Sequence, residues 1–114
     1  VADRDLQLKC VCATAELVCA KWNVLVIYGL AAGHTRFCEL ERSLDGISPR
    51  TLSLRLRDFE AQGIVRRRTY PEIPPRVEYT LTEKGRALLP LIDAMGSYAE
   101  DWLSTSSSPP AEAA

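Results

Sequence analysis

Little in these 114 residues supports catalysis. There is one histidine, His34, beside Gly33 in a turn-like stretch, and no second imidazole to act with it. No Gly-rich phosphate loop and no nucleophile–base pair is visible, so neither an enzyme active site nor a bound cofactor is expected. Glu39 and Glu41 read most simply as solvated helix residues. Long apolar runs are also missing. The longest, Val24 to Ala32, is interrupted by Gly29 and is too short to span a bilayer, which suits a buried helix. The first residues are charged and no apolar leader-type segment follows, so the cytoplasm is the expected location, without a membrane. Nor is there an excess of either charge, since 14 Lys and Arg face 15 Asp and Glu.

Cysteine is present four times, and with no leader-type segment in view these are expected as reduced thiols rather than a disulfide framework. Cys19 and Cys38 are expected as small core residues. Cys10 and Cys12, in Lys9-Cys10-Val11-Cys12, read either as partly exposed thiols without a task or as sensors of oxidants or electrophiles. Lys9 beside Cys10 favours the thiolate, the reactive form. A Cys-x-Cys pair lacks the paired-ligand spacing of a structural zinc site, so no metal is expected. Cys12 and Cys19 are seven residues apart, too far to be bridged along one continuous helix.

What the chain does have is an uneven charge distribution. From Arg50 to Arg68 six arginines face only Asp58 and Glu60, a net +4, whereas from Ala87 onward there are four acids and no base. A basic middle opposed by an acidic end gives an electrostatic footprint that the overall balance hides.

The pattern of elements gives that footprint a shape. A first helix is expected from about Leu6 to Cys19 and a second, largely buried, from Trp22 to Ala32, with Trp22, Leu25, Val26 and Leu30 on one face. Phe37, Leu40 and Leu44 space out a third, ended by Asp45-Gly46. The fourth has the clearest start: Ser48 is a good N-cap, and Pro49 fits the first turn, where its missing N–H costs nothing. Leu52, Leu56 and Phe59 form its buried stripe, Gly63 closes it, and Arg50, Thr51, Ser53, Leu54, Arg55 and Arg57 fall away from the stripe. Ile64 to Tyr70 and Arg76 to Leu81 alternate as two strands joined by a proline-rich tip. A last helix starts at Thr82-Glu83-Lys84-Gly85 and carries Leu88, Leu91, Ile92, Met95, Tyr98 and Trp102 at helical spacing, a stripe longer than so small a core needs. Ser104 to Ala114 is low-complexity and expected to be disordered, leaving residues 1–103 as one domain.

Helix, turn, capped arginine-bearing helix and basic hairpin are the parts of a winged helix-turn-helix, mainly α with a small β-hairpin wing. Such a fold presents one helix to the DNA major groove and a wing to the backbone. Residues in the N-terminal half of that helix reach deepest, so Ser48, Arg50, Thr51, Leu54 and Arg55 are the expected contacts. Leu54 is apolar on a polar face, suited either to a thymine methyl or to a partial core contact. Arg66, Arg67 and Arg68 alternate faces, so only some of them reach DNA; Arg67, Arg68 and Arg76 are the expected phosphate or minor-groove set. A different class of function, a winged-helix module that binds protein, is disfavoured because the exposed face of 48–62 has arginines and no aromatic anchor. A small-molecule effector site lined by Trp22, Tyr98 and Trp102 is compatible with DNA binding, although aromatics at such positions are more often core.

Several runs tie this pattern to a family. Lys21-Trp22, Arg36-Phe37-x-Glu39-Leu40, Gly46-Ile47-Ser48, Leu52-Ser53-x-Arg55-Leu56, Gly63-Ile64-Val65-x-Arg67 and above all Pro74-Pro75-Arg76-Val77-Glu78-Tyr79-Thr80-Leu81-Thr82-x-x-Gly85 resemble the HxlR family of bacterial and archaeal regulators over roughly residues 10–102. The resemblance implies a winged-helix homodimer that binds a palindromic operator, and the expected function is a sequence-specific transcriptional regulator, a repressor that competes with polymerase at a promoter. It also implies dimerisation through the terminal helices, with Leu88, Leu91, Ile92, Met95, Tyr98 and Trp102 as the interface. Two features depart from the family pattern: Cys19-Ala20 replaces the usual glycine before Lys-Trp, and no proline follows Cys10 or Cys12. Some family members sense oxidants through a Cys-Pro cysteine near this point.

Overall fold

A computed structural model describes residues 2–103, with side chains from Arg4 onward; the expected tail from Ser104 to Ala114 lies outside the described residues. The order is α1 (Ala2–Val18), α2 (Lys21–Ala31), α3 (Phe37–Ser43), α4 (Pro49–Ala61), β1 (Val65–Tyr70), β2 (Arg76–Leu81), α5 (Glu83–Arg86) and α6 (Leu89–Tyr98), followed by a π-helical turn, Ala99–Leu103.

Each boundary has a local cause. The Ser48 hydroxyl accepts from the Thr51 N–H at 3.0 Å and caps α4, as the sequence suggests. At the start of α3, the Glu39 carboxylate reaches back to accept from the N–H groups of Thr35 and Arg36 at 3.1 and 3.2 Å. Gly63, with φ +78°, turns the chain out of α4 into β1, a conformation that a side chain resists. β1 and β2 pair antiparallel with Val65 opposite Leu81 and Tyr70 opposite Arg76. The loop before α3 joins the hairpin edge, because the Tyr79 N–H donates to the Thr35 carbonyl at 2.8 Å.

One core unites these parts. Val26, Ile27 and Leu30 of α2 meet Leu40 and Leu44, then Leu52, Leu56 and Phe59 of α4, with Ile64, Val65 and Leu81 from the hairpin base and Ile92 from α6. Asn23 is the buried polar residue among them, at 6% exposure, and its side-chain amide donates to the Leu17 carbonyl at 2.8 Å. Below the core, the Thr82 hydroxyl reaches the carbonyls of Gly63 and Ile64 and accepts from the Gly85 N–H, while Lys84 Nζ donates to the Gln62 carbonyl at 2.7 Å. Gly85 is required there, since a Cβ would collide with the Ile64 carbonyl oxygen.

Two expectations change. The last helix is not continuous from Thr82 to Trp102: α5 ends at Arg86 and α6 restarts at Leu89, because Pro90 has no N–H to donate backwards. Cys19 and Cys38 are exposed rather than core. Cys19 lies just past the end of α1, and Cys38 is two residues from Leu40 and so on the opposite side of α3. The radius of gyration, 17.1 Å, exceeds the roughly 13 Å of a compact chain this long. Tyr28 of α2 donates to Asp93 of α6 at 2.9 Å, and that bond holds the phenol above its usual pKa. Among the described residues, no single helix is long and apolar enough to cross a membrane.

Candidate nucleic-acid interface

The helical period of α4 sorts its side chains into three flanks. Leu52, Leu56 and Phe59 face inward. Arg50 and Leu54 lie on the opposite, outer side, both exposed, Leu54 at 42%. Leu54 is therefore not a core residue, which leaves its methyl groups free for an apolar contact. Ser48 and Thr51 are committed to the cap, since the Ser48 hydroxyl also donates to Thr51 Oγ1 at 2.9 Å.

Arg55 lies on the flank toward α2. Its guanidinium is half-buried, pairs with Asp58 at 2.9 Å and approaches Asn23 Oδ1 at 3.4 Å. The buried amide of Asn23 thus bridges α1 and α4, a role with no sequence signal beyond one polar residue in an apolar helix. Arg57 and Ser53 occupy the third flank, facing the hairpin across a cleft that Glu60, Arg67 and Tyr79 complete. Arg57 is three residues beyond Leu54 and seven beyond Arg50, so helical spacing could have found it.

Register sorts the wing in the same way. Val65, Arg67 and Thr69 share the core-side face with Val77, Tyr79 and Leu81, whereas Arg66, Arg68 and Tyr70 look outward with Arg76, Glu78 and Thr80. Arg67 Nη1 donates to Thr69 Oγ1 at 3.3 Å. Arg76, expected at DNA, is clamped between Glu72 at 3.1 Å and Glu78 at 3.6 Å and lies 4.1 Å over the Tyr70 ring, which also has Arg68 at 5.7 Å. Two carboxylates thus flank the Arg76 guanidinium at the wing tip. Ile73, at that tip, is fully exposed.

The opposite end of the molecule is apolar. Ile92 is buried in the chain's own core and Leu88 packs against it, while Leu91, Met95, Tyr98 and Trp102 are exposed. Leu8 and Val11 of α1 are exposed as well. Between the two helices runs a cleft lined mainly by α1, including Cys10, Val11, Ala15 and Val18, with Cys19 just beyond it and Leu91 from α6. Cys12 does not line it. Trp22 packs against the core whereas Tyr98 and Trp102 are exposed, and none of the three lines this cleft.

The family described as HxlR-like helix-turn-helix matches residues 17–107. An uncharacterized HTH-type transcriptional regulator of Synechocystis is 48% identical over 88 residues, which span 77% of this chain and 65% of the relative. Among solved structures, the transcriptional regulator YodB from B. subtilis in its reduced form is 36% identical, with a TM-score of 0.75 over 83% of this chain and 93% of that one. The redox regulator HypR in its reduced form is 41% identical, with a TM-score of 0.74 over 80% of this chain and 90% of that one.

Proposed function

This chain belongs to the HxlR-like helix-turn-helix family of transcriptional regulators, and on that premise we propose that it represses transcription as a homodimer on a palindromic operator. The observation that carries this reading is the placement of α4: its inner stripe is buried, and its outer side presents Arg50 and Leu54 beside the basic hairpin. Arginine donates two hydrogen bonds to a guanine edge and a leucine methyl suits thymine, so this side has the chemistry of direct readout. The wing arginines add phosphate contacts that position the protein more than they choose sequence.

A second copy is the natural occupant of the α1–α6 face. Leu91, Met95 and Tyr98 follow a 4-3 spacing along α6, the seam of a helix that packs on another helix, and the exposed Trp102 in the following turn extends the apolar surface. An isologous pair would set two α4 helices about 34 Å apart, one turn of DNA. Cys10 lines the cleft at that face, so modification of its thiol would act where the copies meet. YodB has been solved both reduced and after diamide treatment, and HypR both oxidised and reduced. Those states support an oxidant as the signal, with Cys10 preferred over Cys12 as the sensor.

Selection of bound sequences from a random duplex library, with and without diamide, tests the reading. Enrichment of a palindrome is expected in reductant and its loss in diamide, with Cys10→Ser retaining enrichment in both. No enrichment in reductant would favour a protein-binding module instead.

A further inference from the structure

We propose that the cleft between α4 and the hairpin seats one phosphodiester of the DNA backbone, gripped jointly by Arg57 and Arg67. The inference rests on the regulator reading and assigns it a contact that neither α4 nor the wing makes alone. Ser53, Arg57 and Glu60 line one wall, at successive turns of α4. Arg67 and Tyr79 line the other, directly opposite each other in the hairpin register. The space between is about 380 Å³.

Two arginines from separate elements therefore line one hollow, with a single acidic residue, Glu60, beside them. Two cationic side chains on facing walls favour an anion between them, and arginine matches phosphate oxygens with paired N–H donors. Arg67 gives one N–H to Thr69 Oγ1, and neither arginine is held by a carboxylate in the ion pairs of the described residues, which engage Arg55 and Arg76. Ser53 and Tyr79 add hydroxyl-bearing side chains to the same walls.

Position identifies the anion as part of a duplex. The cleft lies between the helix whose outer side carries Arg50 and Leu54 and the hairpin beside it. A strand that borders the groove entered by α4 must cross that gap to reach the wing, and its phosphate is carried over the cleft. Glu60 opposes the same phosphate, so its charge weakens the grip and its neutral analogue should tighten it.

The test uses the full chain and a duplex carrying the selected palindrome, in which single linkages are replaced by uncharged methylphosphonate. Wild-type protein should lose affinity at one linkage per half-site, and Arg57→Gln should be insensitive to that same replacement. On the unmodified duplex, Arg57→Gln and Arg67→Gln should each weaken binding on the order of tenfold. Their combination should cost less than the product of the two, because they share one phosphate. Glu60→Gln should bind more tightly than wild type, a gain that misfolding cannot mimic. Wild-type affinity in Arg57→Gln, in an assay where Arg50→Ala is weakened, would overturn the cleft and leave the regulator reading intact. So would a lowered affinity caused by inorganic phosphate in wild type but not in Arg57→Gln, if no linkage is sensitive, since the anion would then be free. A wild-type chain that binds no duplex would end both.

Discussion

On α4, Leu52, Leu56 and Phe59 are turned inward to no more than 1% exposure, whereas on α1, α6 and the turn after it Leu8, Val11, Leu91, Met95, Tyr98 and Trp102 remain between 40% and 69% exposed. Both ends are amphipathic helices, yet one stripe is covered by its own chain and the other is not. At the α4 end the residues left outside are mainly charged and polar; at the α6 end they are the apolar ones. An apolar stripe announces that something will cover it. Only the count of neighbouring elements tells whether the cover comes from the same polypeptide, and among the described residues none of the core elements covers Leu91, Met95 or Tyr98 of α6.

The strongest way to break this contrast is to place a charge on the bare stripe. Leu91 is 40% exposed, so a second copy can bury at most that share of it, about 0.6–1.2 kcal/mol per copy. Leu91→Glu removes this twice in an isologous pair, roughly 1–2.5 kcal/mol, and adds the cost of burying two carboxylates on top. Sedimentation velocity should show a monomer, and a palindromic duplex should lose affinity far more than a half-site does. A smaller effect is expected at the charged end: Arg50→Ala should cost about 1–3 kcal/mol of binding and relax preference at one base pair, measured by competition with single-base operator variants. Loss spread evenly over all variants would make Arg50 a phosphate contact instead.

Finer changes separate arginines that are free from those already engaged. Asp58→Asn releases Arg55 from its ion pair, and if Arg55 reaches DNA the duplex affinity should rise by up to about 1 kcal/mol, the worth of a partly exposed pair. Unchanged affinity would mark Arg55 as a brace between α4 and Asn23. The smallest change is expected from Tyr28→Phe. It deletes the bond to Asp93 on a solvent-exposed edge, so the thermal midpoint should stay near wild type.

The parts of the fold that the sequence disclosed are those set by neighbours a few residues apart. Ser48 and Pro49 start α4, Gly63 ends it, and the alternation from Ile64 to Leu81 marks the hairpin, because capping and pairing leave short-range signatures. The family match over 17–107 agrees with the resemblance carried by the second wing strand. What stayed hidden depends on residues far apart in the chain. Asn23 and Arg55 are 32 positions apart, so nothing local reveals that this arginine is already in use. Arg76 has Glu72 and Glu78 nearby in sequence, but the two-sided clamp arises only once the hairpin tip turns back on itself. The break before α6 was legible in Pro90 and was overridden by the regular apolar spacing on either side of it.

The lashing beneath the hairpin has a mechanical meaning. Thr82 and Lys84 tie the start of α5 to the end of α4, and Gly85 lets the backbones touch, so helix and wing share one rigid mount. A mount of this kind has no joint by which one could let go of DNA while the other stays. If the chain works as a pair, its signal is left with one variable, the separation of the two mounts, and the protein acts as a caliper set by the face where the copies touch.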